Sequence, residues 1–286
     1  MNYKLLIIIP IIVFAHERGI CQGELEISED IVYASYGERK LRLDLFRPDN
    51  GKVYPGIVLI HGGGWHEGNK VHYHQFAEVI AREGYVCLTI EYRLSGETTF
   101  PAAIFDCKAA VRWLRTNASQ YGTDPDKIAS LGGSAGGHLS ALLATTNQIP
   151  ELEGNGGNQT ISSKVAAAVI FEAPLDQYGK HKGKTREDTP ANTLNFFGGT
   201  CDELPDQYKL GSPIRFIDQF TPPVLLISNG ENEYLERLMF QKRLNNFGIE
   251  NDYIHFEGGK HGDWIQPPLF DKYVNASIQF LDRHLK

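Results

Sequence analysis

Short apolar runs alternate with longer stretches of helical periodicity along most of the chain. The stretch "YPGIVLIHGGG" (54–64) reads as a strand ending in glycines, and "YHQFAEVIAREG" (73–84) carries apolar residues at helical spacing before a Gly stop. "YVCLTIEYRL" (85–94) is again strand-like, while "PAAIFDCKAAVRWLRTNASQYG" (101–122) predicts one amphipathic helix from its leading Pro to Gly122. "KIASLGG" then reads as a strand and "AGGHLSALLATT" as a helix. The runs "VAAAVIFEAP" (165–174) and "PPVLLISNG" (222–230) are further strands, the second followed by the helical "LERLMFQKRLNNFG". "IENDYIHFEGG" supplies the last strand and "PPLFDKYVNASIQFLDRHL" the last helix.

Strands of continuous Val, Ile and Leu separated by helices predict an α/β fold, a mostly parallel central sheet covered on both faces. The early "LRLDLFRP" (41–48) alternates instead, and predicts an antiparallel edge with "DIVYASY". Two inserts interrupt the rhythm. Residues 147–163 are polar and rich in Gly and Asn, and residues 175–221 form a longer polar and aromatic stretch that could fold over the strand ends as a lid. No internal repeat or linker is visible, so residues 22–286 read as a single domain.

The first residues change the picture of location. One Lys precedes the apolar run Leu5–Ala15, too short for a membrane span and suited to a secretory signal peptide, residues 1–21, cleaved after Cys21. A lipoprotein signal ending at Cys21 is the rival, with Arg18 and Ile20 poor neighbours for a lipid-modified Cys. Either way the protein is expected to be exported, periplasmic or extracellular. Cys87, Cys107 and Cys201 then remain, an odd number that predicts buried free thiols, with one disulfide between two of them as the alternative. The 286 residues are 42% hydrophobic, enough for a sizeable core, and the formal net charge of −7 argues against a nucleic-acid partner.

Candidate chemistry gathers at the predicted strand ends, where ligands sit in open parallel sheets. Ser134 lies between "KIASLGG" and the helix beginning near Ala135, with Gly132 and Gly136 permitting a sharp strand-to-helix turn that holds its Oγ exposed. The Ala135 N–H falls at a helix N-terminus, a natural anion site. In "HGGGW" (61–65), Gly63 and Gly64 can turn further N–H groups toward a ligand, and one such donor is typically worth about 10²–10³ in rate. A phosphate-binding loop is disfavoured there, since neither a P-loop Lys nor G-x-G-x-x-G is present. His261, in the glycine-flanked loop "FEGGKHGDW" after the last strand, is the candidate base. His255 lies within a strand and reads as core. His66, His72 and His74 lack the carboxylate or Cys spacing of a metal site, so neither a metal nor an organic cofactor is expected.

The segments "HGGGW", "EYRLSGETTFPAAIFDCKAAVRWL", "YGTDPDKIASLGGSAGGHLSALLA", "SPIRFIDQFTPPVLLI" and "GGKHGDW" together resemble the α/β-hydrolase fold. More closely, they are similar to its hormone-sensitive-lipase-like and bacterial acetyl/feruloyl esterase branch. The resemblance spans roughly residues 53 to 270. It implies that Ser134 is the nucleophile and His261 the base, with Gly63, Gly64 and Ala135 as the oxyanion hole. The family's acid usually follows the strand here reading "PPVLLIS", three residues beyond a Gly. In "SNGENEYLE", counting from Gly230 reaches Glu233, and counting from Asn229 reaches Asn232. An amide cannot stabilise an imidazolium, so Glu233 is favoured, with Glu231 and Asp176 as alternatives. Asp263 is expected to shape the loop or contact substrate.

The reaction implied is ester hydrolysis through an acyl-enzyme, on acetyl or feruloyl groups of plant polysaccharide or related small esters. Trp65, His66 and Trp264 could line a sugar- or aryl-binding mouth, or simply pack the 175–221 insert. A serine peptidase of the same fold is the competing enzyme, though it usually brings a large extra domain. A non-catalytic binding protein on a degenerate hydrolase fold is the competitor from another class, suggested by the irregular acid segment.

Overall fold

Valine, isoleucine and leucine side chains leave both faces of the central strands, and each face is roofed by helices. The computed structural model describes residues 24–147, 149–229 and 234–286. The chain enters as an antiparallel pair, β1 (Leu25–Tyr36) and β2 (Arg39–Pro48), as the alternation of 41–48 predicts. It continues through β3 (Tyr54–Ile60), α1 (His74–Arg82), β4 (Val86–Ile90), α2 (Ala102–Thr116), α3 (Ala118–Tyr121), β5 (Thr123–Gly133) and α4 (Ala135–Thr145). The second half runs β6 (Ala167–Phe171), α5 (Gln177–His181), α6 (Ala191–Phe197), α7 (Pro205–Leu210), β7 (Val224–Ser228), α8 (Tyr234–Asn246), β8 (Asn251–His255) and α9 (Phe270–Leu285).

The strands form one sheet in the order β1-β2-β4-β3-β5-β6-β7-β8. β2 meets β4 antiparallel, and every pairing from β4 to β8 is parallel. Successive side chains of a strand point to opposite faces. Val58 and Ile60 therefore join a cluster with Leu114 of α2 and Leu139 and Leu142 of α4, while Ile57 and Leu59 join one with Phe76 and Ile80 of α1 and Leu281 of α9. A third cluster, including Leu226, Phe240 and Leu244, seats α8.

Several elements end earlier than the periodicity predicts. β4 stops at Ile90 because the chain then turns toward α2, where the Arg93 guanidinium grips both carboxylate oxygens of Asp106 at 2.8–3.1 Å. The single helix expected over 101–122 is broken at Asn117, whose Nδ2 donates to the Trp113 carbonyl at 2.8 Å. His255, expected in the core, stands exposed at the sheet edge and hydrogen-bonds the Ser228 hydroxyl at 2.8 Å. Cys87, Cys107 and Cys201 are all free and buried, which removes the disulfide alternative. Among the described residues no helix is long and apolar enough to cross a membrane.

Both inserts are tied down by specific contacts. Lys108 and Arg112, buried on α2, reach Glu153 at 2.6 and 3.1 Å, and Ser163 donates to the same carboxylate. Residues 175–221 fold into α5, α6 and α7, held by ring contacts: Phe197 stacks on Tyr208 at 3.9 Å, and Phe196 stacks on Trp65 at 4.5 Å.

Asp106 is fully buried, and removing one member of a buried ion pair typically costs 3–5 kcal/mol, so Asp106→Ala should destabilise the protein by about 3 kcal/mol. Urea denaturation measures this directly. An unchanged midpoint would show that the Arg93 contact is dispensable.

Candidate active site

The turn that carries Ser134 is built from a backbone conformation that L-residues avoid. Ser134 has φ 55° and ψ −121°, between the end of β5 and the first residue of α4. Such geometry costs on the order of 1–3 kcal/mol and persists only where the surroundings over-determine it. Here the Ser134 N–H donates to the Phe171 carbonyl at 2.9 Å, and the Ser134 carbonyl accepts from the His138 N–H at 2.9 Å. The first turn of α4 also runs against β3: a Cβ on Gly136 would sit 2.0 Å from the Ile60 carbonyl oxygen. Only glycine lets the helix start there, and the Ser134 side chain is left half-buried at the sheet's carboxyl edge.

The "HGGGW" loop lies directly beside this turn. The Gly63 carbonyl accepts from both the His66 and Glu67 N–H groups, at 3.1 and 3.0 Å, which closes a tight loop that Gly63 enters at φ 111°. Among the described residues, the N–H groups of Gly63 and Gly64 donate to no backbone carbonyl. The Ala135 N–H, first in α4, has no carbonyl four residues back within its helix. His61, at the root of the loop, is buried and stacks on Tyr92 at 4.3 Å, and burial pushes its pKa down to about 4.

One residue that motif reading passed over joins three segments of the site. His138, one turn into α4 and fully buried, accepts at Nδ1 from the Trp65 indole N–H at 3.3 Å. Its Nε2 lies 2.8 Å from the Gly211 carbonyl. Indole can only donate and a carbonyl can only accept, so the ring must be neutral with its proton on Nε2. Burial accordingly lowers its pKa to about 4. The only sequence signal is its place in "GGSAGGH", where a histidine on a helix among small residues looks like ordinary core.

His261 sits exposed in the loop after β8. Asp263 shapes that loop: its Oδ2 accepts from the Lys260 N–H at 2.7 Å and its Oδ1 from the Gln266 amide at 3.2 Å. Asn229, at the end of β7, donates to the Lys260 carbonyl and ties the loop to the sheet. Ser134 and His261 together border two cavities. The larger, about 720 Å³, also touches Gly63, Gly64, His66, Tyr73 and Trp264, and the smaller, about 330 Å³, reaches Ala135 and the 175–221 insert.

The three residues expected at a substrate mouth fare differently. His66 is exposed on the wall of the larger cavity. Trp65 is only 3% exposed, sandwiched between Phe196 and His138, so it is a packing residue of the insert whose rim touches the smaller cavity. Trp264 is 4% exposed and stands edge-on to His261 at 5.1 Å, bordering the larger cavity without offering an open face.

Glu233 and Glu231 lie outside the described residues. Asp176 is engaged elsewhere: its Oδ1 accepts the Gly179 N–H at 2.8 Å as the cap of α5, and it borders a separate groove with Arg215 and Arg243. Glu172, read from sequence as part of a strand, is instead a carboxylate just beyond β6, with φ 46° and 6% exposure, on the wall of the smaller cavity. It accepts from the Asn229 N–H and pairs with Arg237 at 3.4 Å, so it links the end of β7 to the first turns of α8. A glutamate directly behind the apolar run "AAAVIF" was the available signal. His66, His72 and His74 do not converge; among the described residues no group of three His, Cys, Asp or Glu side chains is placed to hold a metal ion.

Comparison with known proteins bears on the family and the fold. The BD-FAE family model matches residues 43–237. The chain belongs to the BD-FAE family. Esterase LipQ of Mycobacterium tuberculosis (strain ATCC 25618 / H37Rv) is 30% identical over 237 residues, covering 80% of this chain and 53% of that protein. Among solved structures, a truncated carbohydrate esterase from gut microbiota superposes with a TM-score of 0.78 at 26% identity, covering 91% of this chain and 96% of that one. A bifunctional GH43-CE protein of Bacteroides eggerthii gives 0.80 at 30% identity, over 91% of this chain and 38% of that one. These establish the α/β-hydrolase fold, of the hormone-sensitive-lipase-like esterase type. The chain spans from about a third to somewhat over half the length of three curated Mycobacterium tuberculosis relatives, LipM, LipQ and LipC.

His61 and His138 fold with pKa values near 4, below the ordinary 6.5, so the unfolded chain binds more protons between those values. Stability should therefore fall as pH drops from about 6.5 toward 4, by up to about 3 kcal/mol for each ring. Urea denaturation across that range measures the slope, and His138→Gln should flatten it. An unchanged slope in that variant would contradict a buried neutral His138.

Proposed function

We propose that this protein is a serine carboxylic-ester hydrolase. The observation that carries the reading is the strained Ser134 turn, which shares both of its cavities with His261 and stands beside the Gly63–Gly64 loop and the start of α4. His261 takes the Ser134 proton as Oγ attacks the ester carbonyl carbon, and the N–H groups of Gly63, Gly64 and Ala135 stabilise the oxyanion. His261 then gives its proton to the departing alcohol. Water, deprotonated by the same ring, attacks the acyl-enzyme, and the imidazolium then gives that proton to the departing Ser134 Oγ. Glu233, which lies between β7 and α8 in the sequence, is the carboxylate that holds the imidazolium. The engagement of Asp176 with α5 speaks for the acid lying between Asn229 and Arg237 in the sequence, two residues that Glu172 holds.

The substrates are acetyl or feruloyl esters of plant polysaccharide, or small esters like them, met outside the cytoplasm after removal of residues 1–21. Supporting this are the signal-like N-terminus, the likeness to a carbohydrate esterase and to a bifunctional GH43-CE protein, and a larger cavity bordered by exposed His66.

Ser134→Ala should lower kcat on p-nitrophenyl acetate by about 10⁴-fold or more while leaving the fold intact. Glu233→Gln should lose about 10³–10⁴-fold, and Asp176→Asn should keep most of the activity. Full turnover by the Ser134 variant would sink the nucleophile assignment, and the reverse order of the two acid variants would move the acid to Asp176.

A further inference from the structure

The Ser134 turn opens onto two cavities, and the smaller one is bordered by a polar side chain whose donor finds no acceptor among the described residues. That cavity, about 330 Å³, runs from Ser134 and Ala135 beneath the 175–221 insert, between Pro174, Pro190 and Gln177. Gln177, the first residue of α5, is 1% exposed, yet its Nε2 has no hydrogen-bond partner among the described residues. Burying an amide donor unpaired is unfavourable, and the great majority of buried polar groups in folded proteins do find partners. A group that borders a cavity opening onto the nucleophile can find its acceptor in whatever fills that cavity.

We infer that Gln177 determines acyl specificity: its amide donates to an oxygen carried by the acyl group, so the smaller cavity favours oxygen-bearing acyl groups over plain alkanoyl ones. This rests on Ser134 and His261 acting as the catalytic pair. The orientation follows from proton delivery, because His261 must reach the departing alcohol oxygen. The His261 loop, with Gly262, Trp264 and Ile265, walls the larger cavity, whereas the smaller one touches that loop at His261 alone. The alcohol therefore leaves through the larger cavity, and the acyl chain lies in the smaller. An acetyl group would fill little of the roughly 330 Å³ there and carries no further oxygen to accept from Gln177. Alkoxy-acyl or ring-oxygenated cinnamoyl groups offer both the bulk and the acceptor.

Two matched ester pairs test this in Gln177→Met, which keeps the length and loses the donor, with Gln177→Leu as the second variant. p-Nitrophenyl methoxyacetate differs from p-nitrophenyl butyrate by one oxygen in place of a methylene, and methyl ferulate differs from methyl cinnamate by its ring oxygens. In at least one pair, kcat/KM for the oxygen-bearing ester should fall about 5–10-fold relative to wild type, with its carbon counterpart changing less than about twofold. Equal changes within both pairs, in either variant that retains the wild-type unfolding midpoint, would overturn the assignment. Ser134→Ala assayed on the same four esters separates the two layers: turnover there would undo the catalytic reading itself, whereas its inactivity together with unselective Gln177 variants would remove only Gln177.

Discussion

The contact on which the rest of the site depends is the close approach of α4 to the end of β3. With Gly136 almost touching the Ile60 carbonyl, the helix must begin immediately after β5, and the one residue left to make the turn is Ser134. Its left-handed φ is the geometric remainder of two rigid elements placed too close for a relaxed connection. The same proximity brings the loop after β3 alongside the serine, because Ile60 is the last residue before "HGGGW". One steric constraint thus sets both the angle of the hydroxyl and the position of the glycine N–H groups.

Charge is handled in a consistent way around this centre. Asp44 with Lys70 and His74, Asp106 with Arg93, Glu153 with Lys108 and Arg112, and Glu172 with Arg237 are each pairs in which a loop is fastened to a neighbouring strand or helix. Buried pairs of this kind add little net stability compared with apolar packing, but they lose a great deal when one partner is misplaced. Their value here is register: each fixes where a connection may run, and the connections carry the site.

Much of this was legible in the sequence, for identifiable reasons. Strand runs such as "IVLI" and "AAAVIF" are buried on both faces and leave an unmistakable apolar signature, and the antiparallel start alternates as an edge pair should. "GGSAGG" was readable because close packing and a strained turn admit almost nothing but glycine around the serine. The break at Asn117 was not, since a side-chain amide capping its own helix looks like any polar residue of an amphipathic stretch. Trp65 pointed to the solvent mouth only because an aromatic beside glycines suggests a binding surface; what buries it is Phe196, about 130 positions away, which no local pattern reveals. Glu172 and His138 escaped for a related reason, as their partners Asn229, Arg237, Trp65 and Gly211 come together only in three dimensions.

The ring of His138 has a consequence for how this architecture can diversify. Because it bonds Trp65 on one side and Gly211 on the other, the glycine loop, α4 and the 175–221 insert are not independent modules. A different insert grafted between β6 and β7 would have to present a carbonyl where Gly211 now does and a ring where Phe196 lies. Otherwise the indole loses its stacking partner and the imidazole its acceptor, and the disturbance passes straight to the turn that holds the serine. Exchange of substrate range within this fold is thereby channelled toward point changes along the cavity walls, with the insert's backbone path kept.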